Sequence, residues 1–219
     1  MPTHSKPRPT PIRRARSAFH ALGYVASALS LTAFANACAG DLRPDSETAA
    51  PSARVVTEPG SGGALTTTVD ASNRDLWVYF SFSTEAEVSP EDAANSPDWD
   101  LAFQRFNIIS NGGASGSGGA AVAILEGASF DDVSQAPADG YLEDQPDSDD
   151  DDTVIDSAFA EGDGWYDYDS SDNTLSPKPI VYVVRAPSGA YYKLALLDYY
   201  DAAGSSAHPS FSWAELPAP

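Results

Sequence analysis

From Leu65 to the C-terminus, apolar positions recur every second residue in short runs and seldom at helical spacing. Leu76-Trp77-Val78-Tyr79-Phe80-Ser81-Phe82 places Leu76, Val78, Phe80 and Phe82 on one face of an expected strand. Trp99-Asp100-Leu101-Ala102-Phe103 alternates in the same way. It directs Trp99, Leu101 and Phe103 to a core, and Asp98 and Asp100 to solvent. Asn111-Gly112-Gly113 marks a turn, and the Gly/Ser/Ala run after it reads as a flexible loop before a strand over 121–125. Stretches 180–185 and 191–197 flank Pro187-Ser188-Gly189 and form a hairpin, while Phe211-Ser212-Trp213 supplies a last short strand. One helical turn is expected in 86–96, with Ser89 as N-cap and Pro90 first. The pattern predicts an all-β fold: a single, mostly antiparallel β domain with long loops.

The N-terminus has a different texture. Residues 1–20 are basic and Pro-rich, an apolar stretch runs from Ala21 through Phe34, and Ala35-Asn36-Ala37 precede Cys38. Charged, apolar, then small is the order of a bacterial secretory signal, so 1–37 is expected to be removed. Two processing routes compete at that bond. Ordinary cleavage leaves a free thiol, and lipoprotein processing places a lipid on Cys38. A lone Cys at this one location favours lipidation, and Ala39 in place of Asp after it favours the outer membrane. Residues 38–68, with Pro44, Pro51, Pro59 and Gly60-Ser61-Gly62-Gly63, read as a flexible tether, which leaves 69–219 as the β domain.

Charge narrows the function. All five basic residues of the leader leave with it, so the mature chain holds 7 Lys+Arg against 32 Asp+Glu, a formal charge of −25. Such a surface repels phosphate backbones, which excludes nucleic acid, and any membrane contact runs through the anchor. No basic residue lies between Arg105 and Lys178, and Glu143 to Asp172 carries 13 acids in 30 positions. The plain reading is a solvated, self-repelling loop. The sharper one is a Ca²⁺ site on Asp147, Asp149 and Asp151. It is no EF-hand, since Asp152 stands where Gly is needed and Ala158 where the closing Glu belongs. Three His, one Cys and one Met leave too few ligands for a zinc centre, and neither a nucleophile elbow nor a phosphate loop is present. The chain does not read as an enzyme.

Four pieces, in order, resemble the HmuY family of bacterial haem-binding lipoproteins: Trp77-Val78-Tyr79-Phe80-Ser81; Trp99-Asp100-Leu101-Ala102-Phe103-Gln104-Arg105; Asn111-Gly112-Gly113-Ala114-Ser115-Gly116; and Val181-Tyr182-Val183-Val184 leading into Tyr192-Lys193-Leu194. The resemblance implies a hand-like β domain with haem between loops at one end. Its implied role is iron acquisition at the cell surface, with delivery to an outer-membrane haem receptor. It also exposes a departure. Family members ligate the iron through paired His or through Met, but Met1, His4 and His20 lie in the leader and only His208 remains. Phenolate ligation by Tyr141, Tyr166 or Tyr168 in the loop-rich middle is then the first choice, with His208 behind them. Each Tyr taken singly reads as a half-buried loop anchor, and His208 before Pro209 as a turn residue. Two propionates would call for Arg105 or Lys178. The alternative function is a surface lipoprotein of the same fold without haem, acting as an adhesion or Ca²⁺-dependent interaction module.

Overall fold

The structure is a computed structural model that describes residues 53–148 and 155–219. The leader, Cys38, Asp149 and Asp151 therefore lie outside the described residues. Fourteen strands account for nearly all regular structure, and two 3₁₀ turns, Ser61–Gly63 and Phe130–Asp132, are the helical elements among the described residues. The all-β expectation holds. Chain order is β1 (Val55–Pro59), β2 (Leu65–Val69), β3 (Val78–Ser81), β4 (Ala86–Val88), β5 (Leu101–Gln104), β6 (Asn107–Ser110) and β7 (Ala121–Glu126). It continues with β8 (Gln145–Pro146), β9 (Ile155–Asp156), β10 (Tyr166–Asp169), β11 (Thr174–Pro177), β12 (Ile180–Arg185), β13 (Tyr191–Tyr200) and β14 (Ser206–Leu216).

A six-stranded sheet, β1-β2-β14-β13-β12-β7, packs against a four-stranded one, β4-β3-β5-β6, with β8-β9 and β10-β11 as separate hairpins. Every pairing is antiparallel. Aromatic rings join the two sheets. Phe103 of β5 stacks on Phe211 of β14 at 5.5 Å, Phe80 of β3 meets the same ring edge-on at 5.5 Å, and Phe82 stacks on Tyr192 at 4.3 Å. Each pair adds about 1 kcal/mol beyond the area it buries. On the outer face of the larger sheet, Val181, Val183 and Ala123 are covered by the 128–141 segment. Lys193 holds that segment by donating to the Phe130 and Val133 carbonyls at 2.7 and 2.9 Å.

Six expectations are corrected. Residues 55–68, assigned to the tether, lie in the hairpin of β1 and β2, because Thr57 and Thr67 pair across it and Trp213 Nε1 donates to buried Thr67 Oγ1 at 2.8 Å. The domain thus begins by Val55, not at residue 69. β14 runs eleven residues rather than three, with alternate burial from Ser206 to Ala214. Residues 86–96 form β4 and turns, not a helical turn. Leu76 precedes β3 and is half exposed, outside the apolar face assigned to it. Trp99 lies before β5 and packs with Ala102 and Ile109, on the side opposite Leu101 and Phe103. Asp100 beside it is buried, not solvated, and accepts the Phe82 N–H at 2.7 Å.

Candidate functional site

The Asn111-Gly112-Gly113 turn anchors one end of the site. Asn111 Nδ2 donates to the Ser96 and Trp99 carbonyls, both at 2.8 Å, and its Oδ1 accepts the Gly118 N–H at 3.1 Å. The Gly/Ser/Ala run is thereby wrapped around one buried amide rather than left loose. Glycine is required at two positions. A Cβ on Gly112 would sit 1.9 Å from the Ala120 carbonyl oxygen, and one on Gly113 (φ +57) would sit 2.0 Å from that of Asp144.

Asp144 is fully buried at the start of the acidic stretch. Its carboxylate accepts the Ser110 N–H at 2.8 Å, the Ser115 hydroxyl at 2.6 Å and the Ala158 N–H at 2.9 Å. One side chain thus ties residues 144 and 158 together and fixes both to β6 and the glycine turn. Burial raises its pKa, and these hydrogen bonds oppose the rise. Ser157 adds a short hydrogen bond to the Ile108 carbonyl.

Between this knot and β10 lies a cleft of about 470 Å³, within the range of small-molecule sites, roughly 300–1,000 Å³. Six aromatic residues line it: Trp77, Phe106, Phe159, Trp165, Tyr166 and Tyr168. Trp165 holds the geometry. Its Nε1 donates to the Phe106 carbonyl at 3.0 Å, its ring meets Tyr166 edge-on at 4.9 Å, and its carbonyl accepts the Lys178 N–H at 2.9 Å. The sequence pattern points to neither Phe106 nor Asp144. Nothing in an isolated Phe or in one Asp of an acidic run marks such roles.

The four candidate ligands are divided. Tyr166 and Tyr168 share the cleft, as their spacing of two on β10 dictates. The Tyr168 hydroxyl donates to Asn173 Oδ1 at 2.7 Å, whereas that of Tyr166 has no hydrogen-bond partner among the described residues. Burial raises the Tyr166 pKa. Tyr141 lies elsewhere, edge-on to Tyr191 at 5.9 Å and with the Arg185 guanidinium 5.6 Å over its ring. Its hydroxyl is buried without a partner and its pKa is pushed up to about 12, chiefly by burial. His208 is also outside the cleft lining. Its Nδ1 lies 3.2 and 3.1 Å from the Ser205 and Ser206 carbonyls, and its Nε2 lies 3.5 Å from Asp70.

The charged cleft residues Asp156 and Asp163 are acidic. A cation stands behind them: Lys178 Nζ donates to the Asp163 carbonyl at 2.6 Å and lies 3.8 Å from Asp167. Arg105 instead points to the Ser72 carbonyl at 3.3 Å. No cluster of three or more His, Cys, Asp or Glu suited to a metal ion occurs among the described residues. Asp147, the one expected Ca²⁺ ligand among the described residues, is not part of such a cluster there.

The fold is shared with solved structures. The apo HmuY analogue of Tannerella forsythia superposes with a TM-score of 0.55 at 16% identity, covering 74% of this chain and 97% of that one. A protein described as a lipoprotein from Bacteroides fragilis gives 0.52 at 19%, over 72% and 91% of the two chains. No curated protein matches the chain. The model of the HmuY protein family matches residues 73–213, well over half the chain, spanning the glycine turn, the Asp144 knot and the aromatic cleft: the chain belongs to the HmuY family.

Proposed function

We propose that this chain is a non-enzymatic, lipid-anchored haem- or porphyrin-binding protein of the outer membrane, and that the aromatic cleft is its binding site. The observation that carries the reading is a cleft of about 470 Å³ with six aromatic residues, Trp77, Phe106, Phe159, Trp165, Tyr166 and Tyr168, on a HmuY-family fold. Flat faces of that kind suit a planar macrocycle, which buries large area against aromatic rings at little entropy cost. Tyr166 is the residue best placed to hold an iron, because its hydroxyl is unengaged where that of Tyr168 is already bonded. Bound haem would supply a Lewis-acidic ferric centre, which favours the phenolate that burial alone disfavours. Lys178 is the cation available to a propionate, with Asp156 and Asp163 opposing it.

Titration of the protein with haemin is expected to give a saturable Soret band of high-spin type. With the leader removed, His208 is the single His and no Met remains, so six-coordinate ligation by His or Met pairs within one chain is not available. Tyr166→Phe should shift the Soret maximum, and Tyr168→Phe should leave it nearly in place. Lys178→Ala should weaken binding roughly threefold to fivefold, the worth of one partly screened charge contact. A protein that takes up no haemin would support instead a surface interaction module of the same fold, for which Ca²⁺ dependence would be the next assay. Mass spectrometry of the native N-terminus should find an acylated Cys38, and an unmodified Cys38 on soluble protein would overturn the anchor.

A further inference from the structure

A second pocket, of about 490 Å³, lies beyond the opposite end of β5 from the aromatic cleft. It forms where the β3–β4 turn, the 89–98 loop and the β12–β13 hairpin turn meet. Its chemistry is unlike that of the cleft. Ser81, Ser83, Thr84, Ser89 and Ser188 bring five hydroxyls to its wall. Asp98 and Asp100 bring two carboxylates, and no Lys, Arg or His is among the lining residues.

Two groups in this pocket lack a natural counterpart. Asp100 is only 6% exposed, and its carboxylate has the Phe82 N–H and the Ser81 hydroxyl beside it but no ion pair among the described residues. A buried carboxylate without a counter-charge is costly, and its pKa is raised by burial. Tyr192 is 8% exposed and lines the same pocket with its ring stacked on Phe82, yet its hydroxyl has no hydrogen-bond partner among the described residues. Burial raises the Tyr192 pKa too, and the Glu215 and Asp100 charges add to the rise. A neutral phenol and a lone carboxylate therefore face one polar space of ligand size.

We infer that this pocket is a second binding site, taking a small hydroxylated organic cation whose primary ammonium pairs with Asp100 and Asp98. The ammonium supplies the charge that Asp100 lacks. Hydroxyls on the ligand exchange hydrogen bonds with the Ser and Thr side chains and with the Tyr192 phenol, which can donate or accept. Anionic porphyrin is disfavoured in the pocket for the same reason, since two carboxylates and no cation line it. The assignment does not depend on the aromatic cleft binding haem.

Protonated glucosamine is a suitable probe, with glucose as its uncharged counterpart. Calorimetry and two-dimensional NMR at constant ionic strength should show saturable glucosamine binding, with shifts at Ser83, Ser188 and Tyr192. Glucose should bind at least tenfold more weakly. Asp98→Asn, at an exposed position that leaves the fold intact, should weaken glucosamine at least threefold. Asp100→Asn, which keeps an acceptor for the Phe82 N–H, should weaken it at least tenfold. Asp131→Asn removes the same charge from the Phe130–Asp132 turn, on the other face of the larger sheet, and should change nothing. Equal binding of glucose, reproduction of the shifts by matched NaCl, or an equal effect of Asp131→Asn and Asp98→Asn would each overturn the site. So would tight CaCl₂ binding through Asp98 and Asp100 in the absence of glucosamine binding.

Discussion

Replacing Asp144 with Asn should destabilise the protein by about 3 kcal/mol, with loss of haemin affinity in the same variant. The carboxylate accepts from Ser110, Ser115 and Ala158 at full burial. Asn retains one acceptor oxygen and turns two N–H donors toward groups that are themselves donors. With its oxygen on the side that serves Ser110 and Ser115, the Asn faces the Ala158 N–H with its own N–H groups; flipped, it frees Ala158 and strands the Ser110 N–H instead. One stranded backbone N–H costs about 1–3 kcal/mol, and the lost charge-assisted bonds add a similar amount. Relief of the buried charge offsets part of this. For a domain of this size the melting temperature should fall by roughly 6–12 °C. Urea midpoints at an unchanged m-value provide the measurement, and a change within about 0.5 kcal/mol would refute the clamp. The pH dependence carries a definite sign. Burial places the folded-state pKa of Asp144 above its unfolded value, so its contribution is fully present below about pH 4 and is lost as pH rises through the folded pKa. The margin of wild type over Asp144→Asn should therefore narrow as pH climbs from about 4. Asp100 titrates with the same sign in both proteins and cancels from the comparison.

Gly112→Ala should be at least as damaging, for a steric reason. The added methyl would lie 1.9 Å from the Ala120 oxygen and 2.9 Å from its carbonyl carbon. That peptide cannot yield cheaply, because the Ala120 N–H is bonded to the Asn111 carbonyl at 2.9 Å and Ala120 is fully buried. Overpacking against backbone exceeds the usual cost of about 1–3 kcal/mol for side-chain crowding. The expected result is a melting temperature lower by roughly 10 °C or more, or insoluble protein. Gly119→Ala serves as the control. Gly119 has a φ of +73 but open space around its would-be Cβ, so it bears only backbone strain of about 1–2 kcal/mol. Equal costs at the two positions would show that close approach is not what Gly112 provides.

The strands that period-two reading recovered are those whose inward positions are large and apolar: Val78 and Phe80, Leu101 and Phe103, Val181 to Val184, Leu194 and Leu196. Of the ones it lost or shortened, β2 and β14 bury small or hydroxylated residues. β2 places Thr67 in the core, and β14 begins with Ala207 at an inward position, so neither produces a hydrophobic alternation strong enough to notice. Pro59 and the glycines that join β1 to β2 resemble a tether in composition, but they are the corner of a hairpin. Trp99 fails for another reason. It stands before β5 begins, where the pleat no longer dictates the side, and its Nε1 turns to the Ala93 carbonyl at 2.8 Å.

By itself, the sequence determined the β class, the family through its Trp-Asp, Asn-Gly-Gly and hairpin segments, and the scarcity of His and Met. Those are consequences of residue type and of a two-residue period, which act over a few positions of chain. Only the tertiary structure decided that Asp100 and Asp144 are inside, that Tyr141 and His208 stand apart from the cleft, and that Lys178 stands behind it. A polar residue is buried when donors arrive from elsewhere in the chain. For Asp144 they come from Ser110, 34 positions away, and for Asp100 from Phe82, 18 away. No local pattern records where those donors will be, because their positions are set by the packing of two sheets.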